Sequence, residues 1–435
     1  MAGDGKEAAT GTSAMWRHKR VLSASLIGTA VEFYDFYIYA TAASLIFPSL
    51  FFPSSSPSAQ LLASYGSLAL AFFARPLGAA IFGHYGDRVG RKATLVTSLM
   101  LMGGCTLLIG FLPTYQMIGW WAPLILCVLR FGQGLGLGGE WGGAALLAVE
   151  NAPSGWRARF GMFPQLGAPV GFLAANGLFL LLGAFLSDAD FFAWGWRLPF
   201  LGSAVLVLLG LWVRLKLTET PEFAAARAEA PPPALPIGAL LSGHLGAAIA
   251  GTFAVVACFA VYYIATAFAL GYGTTTLKID RESFLGIQLG AILFMALSIV
   301  IAGWWADKTS PTRVLAIGCV GTVLMGLIFG PAMGTGELLS IFAILSLALF
   351  LMGFVYGPLG AYLPALFPVQ LRYTGASFSF NLGGILGGAL APIVATWLIA
   401  VQGIAFVGLY MSAAAAVSLA GLWWTSRAAR RKTIG

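Results

Sequence analysis

Five ionisable side chains stand inside long apolar runs in the first half of the sequence: Glu32, Asp35, Arg75, Arg130 and Glu140. Such a group in a hydrocarbon layer costs on the order of 3 kcal/mol or more, so it faces a partner or a water-filled cavity. A carboxylate beside a guanidinium can take up and release a proton as the two separate and meet, while arginine keeps its charge. Proton coupling is therefore the chemistry expected of Glu32, Asp35 and Arg130. Glu32 and Asp35, at i and i+3, share a helix face. At ~1.5 Å per residue, Asp35 lies about 22 Å above the basic cluster ending at Arg20, and Arg130 roughly 20 Å from the same side. The two can pair.

Arg130, Gln133 and Glu140 fall on one helical stripe, and Gln165 and Asn176 on another. Together with Arg75 they can line a polar cavity. The second half adds the neutral groups Tyr262, Tyr263, Gln288, Tyr356 and Asn381. Each single Gln, Asn or Tyr suits an interhelical hydrogen bond equally well. Arg75 has no carboxylate in its own run, so it either pairs with Glu140 or binds an anionic group.

The elements that must position these groups follow from composition. Of 435 residues, 59% are hydrophobic and 9% charged, against about 25% charged in a soluble domain. That excludes a soluble enzyme, a nucleic-acid-binding protein and a disordered scaffold. The net charge of +8 sits in short clusters between apolar runs, as the positive-inside rule expects. With roughly 20 residues per crossing, twelve spans are read at about 21–50, 61–84, 93–112, 122–149, 159–186, 197–217, 239–270, 284–306, 312–333, 338–366, 374–401 and 404–426. Residues 1–217 and 239–435 form two six-helix sets joined by the polar, proline-rich 218–238 segment. Lys and Arg flank one side, and the opposite connections 51–60, 113–121, 184–196 and 334–337 have none. The 271–283 connection departs from this, with Lys278 and Arg281 beside Asp280 and Glu282. Both termini are expected in the cytoplasm. The four cysteines lie in apolar runs and read as small core residues, so neither a metal nor a cofactor is expected.

Two motifs invite interpretation. Gly134-Leu-Gly136-Leu-Gly138-Gly139 satisfies the dinucleotide pattern GxGxxG, but that site needs a preceding strand. Inside an apolar helix the run predicts close helix packing instead. An internal repeat is the second. Gly83-His-Tyr-Gly-Asp87-Arg88 follows the second span, and Gly303-Trp-Trp-Ala-Asp307-Lys308 follows the eighth, 220 residues later. Parallel repeats suggest pseudo-symmetric halves around a midplane site.

The segment Gly83 to Lys92, with Asp87, Arg88, Gly90 and Arg91 in register, resembles the loop signature GxxxD[RK]xG[RK][RK] of the major facilitator superfamily. Glu32-Phe-Tyr-Asp35, Phe73-Ala-Arg75-Pro-Leu-Gly78, the Arg130 to Glu140 segment and Arg372-Tyr-Thr-Gly375 are similar to its metabolite:proton symporter family. Carriers of proline/betaine, shikimate, α-ketoglutarate and citrate belong to that family. The resemblance implies an all-α major facilitator fold of twelve transmembrane helices in a bacterial inner membrane. It also implies that Asp87 caps a second-half helix near Thr374 and pairs with Arg91. In the second copy, Asp307 and Lys308 lack the Gly-Arg-Arg tail, so a less symmetric latch is expected. The expected activity is proton-driven import of a small polar metabolite by a monomer. An organic anion is favoured by Arg75 and Arg130, with a zwitterion next and drug efflux a rival. The partners are then substrate, proton and lipid, with no nucleic acid and no catalysis.

Overall fold

Within the described residues, each apolar run read from the sequence is built of helix. A computed structural model of the chain describes residues 15–54, 56–89, 91–215 and 236–434, without the side chains at 83–89, 91–95, 213–214 and 428–434. Gly90, the side chains of Asp87, Arg88 and Arg91, the surroundings of Gly83, and nearly all of the 218–238 linker lie outside the described residues.

The spans are α1 (Lys19–Leu45), α2 (Pro57–Val89), α3 (Arg91–Phe111), α4 (Trp121–Leu137, resuming as Glu140–Glu150), α5 (Arg157–Phe185) and α6 (Arg197–Leu215). The second set is α7 (Leu245–Tyr263, π-helical at Ile264–Phe268, ending Ala269–Thr275), α8 (Arg281–Lys308) and α9 (Pro311–Gly334). It continues with α10 (Leu338–Tyr356 and Leu359–Ala365), α11 (Arg372–Gly384, π-helical at Ile385–Ala389, then Leu390–Val401) and α12 (Ile404–Ile434). Among the described residues, 10 helices are long and apolar enough to cross a membrane, and α6 with the bent segment before it makes 11. α3 completes the set with 21 helical residues.

The two halves meet where α5 packs on α8 and α2 on α11. The glycine run of α4 shows why the backbones can approach so closely. A Cβ on Gly134 would overlap the Ala71 backbone of α2, and one on Gly138 the Arg75 carbonyl. The run is thus a packing surface, as its apolar setting predicts, and it brings α4 onto the turn of α2 that carries Arg75. α4 is not continuous, however. A turn at Gly138 and Gly139 interrupts it, and the helix resumes at Glu140. The carbonyls left over at the break accept from α11: Asn381 Nδ2 donates to Gly138 O at 2.9 Å, and Tyr373 Oη donates to Gly139 O.

Overpacking a tight contact costs on the order of 1–3 kcal/mol. Gly134→Val is expected to lower the melting temperature of the detergent-purified protein clearly. Gly28→Ala, where a Cβ meets nothing within 4 Å, should leave it unchanged or raise it. Equal behaviour of the two variants would contradict this packing account.

Candidate functional site

Asp35 sits mid-α1, 1% exposed, and turns into the first half. Its Oδ1 accepts from Ser203 Oγ of α6 at 2.6 Å, and its Oδ2 from Thr106 Oγ1 of α3 at 3.2 Å. Arg130, fully buried, donates from Nη1 to Gln133 Oε1 at 2.9 Å, and Gln133 Nε2 donates to Thr106 Oγ1 at 2.7 Å. Among the described residues no ion pair joins Asp35 to Arg130. The direct pair expected from their depth is replaced by a chain through Thr106 and Gln133, because α3 inserts a hydroxyl between the two charges.

Thr106 has one proton and two acceptors, Asp35 Oδ2 and the Met102 carbonyl, the latter at 2.9 Å. An ionised Asp35 draws that proton. A protonated Asp35 can itself donate, turning the hydroxyl toward Met102. The oxygen that Gln133 bonds therefore changes character with the charge on Asp35, and Gln133 holds the guanidinium.

Both arginines rest on aromatic faces. The Arg130 guanidinium lies 4.2 Å from the Phe36 ring centre and 4.0 Å from that of Tyr39. That of Arg75 lies 4.5 Å from Phe36 and 4.7 Å from Phe72. A desolvated contact of this kind is worth about 2 kcal/mol, which offsets part of the burial cost. Arg75 Nε, Arg130 Nε and Arg130 Nη2 are buried without a hydrogen-bond partner. Among the described residues no carboxylate lies within ion-pair distance of either guanidinium. Glu140 accepts from Ser98 Oγ at 2.9 Å, and among the described residues no ion pair joins it to Arg75. Glu32 is buried.

The remaining polar residues divide by what they bond. Gln133, Gln165 and Asn381 are committed to protein partners. Gln165 accepts from Trp141 Nε1 at 3.1 Å and donates to the Tyr356 carbonyl at 2.9 Å. By contrast, Asn176 Nδ2 and Gln288 Oε1 are buried and unpartnered. Tyr262 stacks on Tyr37 at 5.2 Å, and Tyr263 stands edge-on to Phe36 at 5.9 Å. Thr106, Ser203, Phe36 and Trp141 were not singled out in the sequence. A hydroxyl or a ring in an apolar helix is ordinary, and only the folded neighbourhood distinguishes these four.

The two ends of the molecule are held differently. At one end Asp307 crosses between the halves to α5, accepting from Ala158 N at 2.8 Å and Arg159 N at 3.0 Å, with Arg159 Nε 3.4 Å away. The α5 N-cap is Trp156, which makes no side-chain cap. The carboxylate therefore satisfies exposed helix N–H groups and the helix dipole at once. Lys308 is exposed and makes no such bridge. The Trp141 and Phe380 rings stack across the same boundary at 3.8 Å. At the other end Arg281 Nη2 donates to Asp188 Oδ1 at 3.1 Å, but that carboxylate is 85% exposed. A cavity of about 510 Å³ opens there, lined by Ser44, Gln60, Asp188, Thr274 and Arg281.

Residues 21–231 match the family model "Sugar (and other) transporter". The chain is 49% identical to the inner membrane metabolite transport protein YhjE of Escherichia coli K12, covering 93% of each. It is 38% identical to the shikimate transporter of the same organism, over 89% of this chain and 90% of that one. The chain belongs to the major facilitator superfamily. A solved structure of the proton:xylose symporter XylE superposes with TM-score 0.73 at 16% identity, covering 95% and 96% of the two chains. At that identity the likeness is one of fold. This major facilitator protein is a multi-pass membrane transporter and not an enzyme.

Asp307 should act as a clasp. With the native cysteines replaced and spin labels at positions 154 and 308, Asp307→Ala should lengthen or broaden the interlabel distance by about one helical turn, ~5 Å. An unchanged distribution would mean that the cap does not hold this end shut.

Proposed function

We propose that the chain is a proton-coupled symporter importing a small organic anion by alternating access of the halves 1–217 and 239–435, joined by the 218–238 linker. One observation carries this reading: Arg75 and Arg130 keep buried, unpartnered N–H groups with no described carboxylate in ion-pair range. Buried cations left so are costly, and an anionic substrate meeting Arg75 relieves that cost through charge-assisted hydrogen bonds.

In this reading Asp35 carries the proton. Protonation releases the Thr106 hydroxyl, shifts the hold of Gln133 on Arg130, and so changes the positive potential that the substrate meets. Asp307, and Asp87 with Gly83, Arg88, Gly90 and Arg91 by analogy of sequence, hold the Asp307 end closed while the Arg281 end admits substrate. The basic clusters place the Asp307 end and both termini in the cytoplasm, and the inner membrane is the expected location. The chain is taken to act as a monomer. Relatives named as shikimate and putative proline/betaine transporters support a small polar metabolite. Glu32, a second buried carboxylate on the helix that carries Asp35, favours a zwitterion as the second reading.

Two variants test the assignment. Asp35→Asn in proteoliposomes should abolish proton-driven accumulation while leaving counterflow exchange measurable, and unchanged proton uptake would remove Asp35 from the mechanism. Arg75→Gln should weaken carboxylate binding at least tenfold, about 1.4 kcal/mol, and neutral analogues far less. Equal loss of both would return Arg75 to a structural role.

A further inference from the structure

Between α1, α5, α7 and α8 lies a small void bordered by Tyr37, Thr41, Phe172, Asn176, Thr266 and Gln288. Its free space, about 10 Å³ for the centre of a water-sized sphere, is that of a single oxygen atom. Two amides meet it. Thr41 Oγ1 donates to Asn176 Oδ1, so the buried Nδ2 is left as an unpartnered donor. Gln288 Nε2 donates to the carbonyls of Ala265 at 3.0 Å and Thr266 at 2.8 Å. Both belong to the π-helical turn of α7, where the regular ladder is interrupted. Only an NH₂ group can serve two carbonyls, so Gln288 Oε1 faces the other way, buried and unpartnered. Asn176 is 0% exposed and Gln288 1%.

The void therefore offers one N–H and one C=O, from opposite halves of the molecule. A hydroxyl answers both, since it accepts and donates through one oxygen. An ether or carbonyl oxygen leaves Gln288 unmatched, an ammonium leaves Asn176 unmatched, and a methyl group leaves both, with the cost of burying an unpaired polar group. Thr41 lies five residues beyond Phe36, on which Arg75 rests.

We propose that Asn176 and Gln288 form a hydroxyl-recognition subsite, and that the substrate is a hydroxylated carboxylate with its carboxylate at Arg75 and a hydroxyl in this void. The carboxylate half rests on the anion-symport reading above; the hydroxyl half does not. Because the two amides lie on α5 and α8, the hydroxyl completes both bonds only when the halves are closed around it, so the same contact that selects the substrate favours the occluded state.

The test uses the purified full chain and three probes: cyclohexanecarboxylate, 4-hydroxycyclohexanecarboxylate and the neutral 4-hydroxycyclohexanecarboxamide. Affinities are measured by calorimetry at one pH. The hydroxy acid should bind at least tenfold more tightly than its deoxy parent, since a site built to bond a hydroxyl rejects the analogue lacking it. Gln288→Leu should reduce that ratio to about threefold or less while keeping the affinity for the deoxy acid within roughly twofold. Should Gln288→Leu fail to elute as a folded species, Asn176→Leu makes the same comparison from the other half. Failure of the anion reading shows separately: the carboxamide then binds as well as the hydroxy acid, and Gln288→Leu still weakens it. Equal binding of hydroxy and deoxy acids by the unmodified protein, an unchanged ratio in the variants, or no binding of any probe would overturn the subsite. The first of these would leave the void to a structural water.

Discussion

The buried guanidinium of Arg130 is the constraint around which the first half of this molecule is arranged. A full charge without water must be met by something, and here it is met by two aromatic faces and one amide rather than by a carboxylate. Consecutive turns of α1 supply Asp35, Phe36 and Tyr39, so a single helix holds the acid proposed to carry the proton, the ring shared by both arginines and the second ring under Arg130. A shift of α1 against α2 and α4 changes all three together. The Thr106–Gln133 link then makes the surroundings of the cation depend on the charge state of an acid it does not touch. A direct ion pair would have been a poorer switch, because opening it exposes two uncompensated buried charges at once.

Unequal closures at the two ends give this centre its setting. Asp307 is placed on helix N–H groups that have no local cap, a contact that exists only when the halves are together at that end. The Arg281–Asp188 contact at the other end uses an exposed carboxylate, and exposed pairs contribute only about 0–1 kcal/mol. The cavity opens on the weaker side. The breaks in α4 and α7 serve the same boundary. Carbonyls left by the Gly138–Gly139 break bind α11, and those of the π-helical turn bind Gln288, Ser44 and Tyr65. Irregular backbone in a membrane interior must be satisfied by protein, and in this chain the satisfaction is largely between halves.

Much of this was legible before the fold. Hydropathy located the spans, since a bilayer imposes a length that soluble packing does not. The glycine run was readable as a packing face because its apolar setting excludes a phosphate loop. Burial of Glu32, Asp35, Arg75 and Arg130 followed from cost alone. Their partners did not, because partnership depends on which neighbouring helix presents a hydroxyl, and Thr106 and Ser203 look like any others in sequence. The Asp307 contact with α5 was legible only in part. The signature loop was judged by its basic tail, whereas the physical contact is made by the carboxylate.

The central claim is that Asp35 exchanges a proton when an anion reaches the arginines. Infrared difference spectroscopy of the reconstituted protein, recorded on adding a transported carboxylate, observes that proton directly through the carbonyl stretch of a protonated carboxylic acid. The account predicts a band that changes on substrate addition, shifts when Thr106 is replaced by valine, and is missing in Asp35→Asn. A spectrum without such a band, or one that persists in Asp35→Asn, would contradict it.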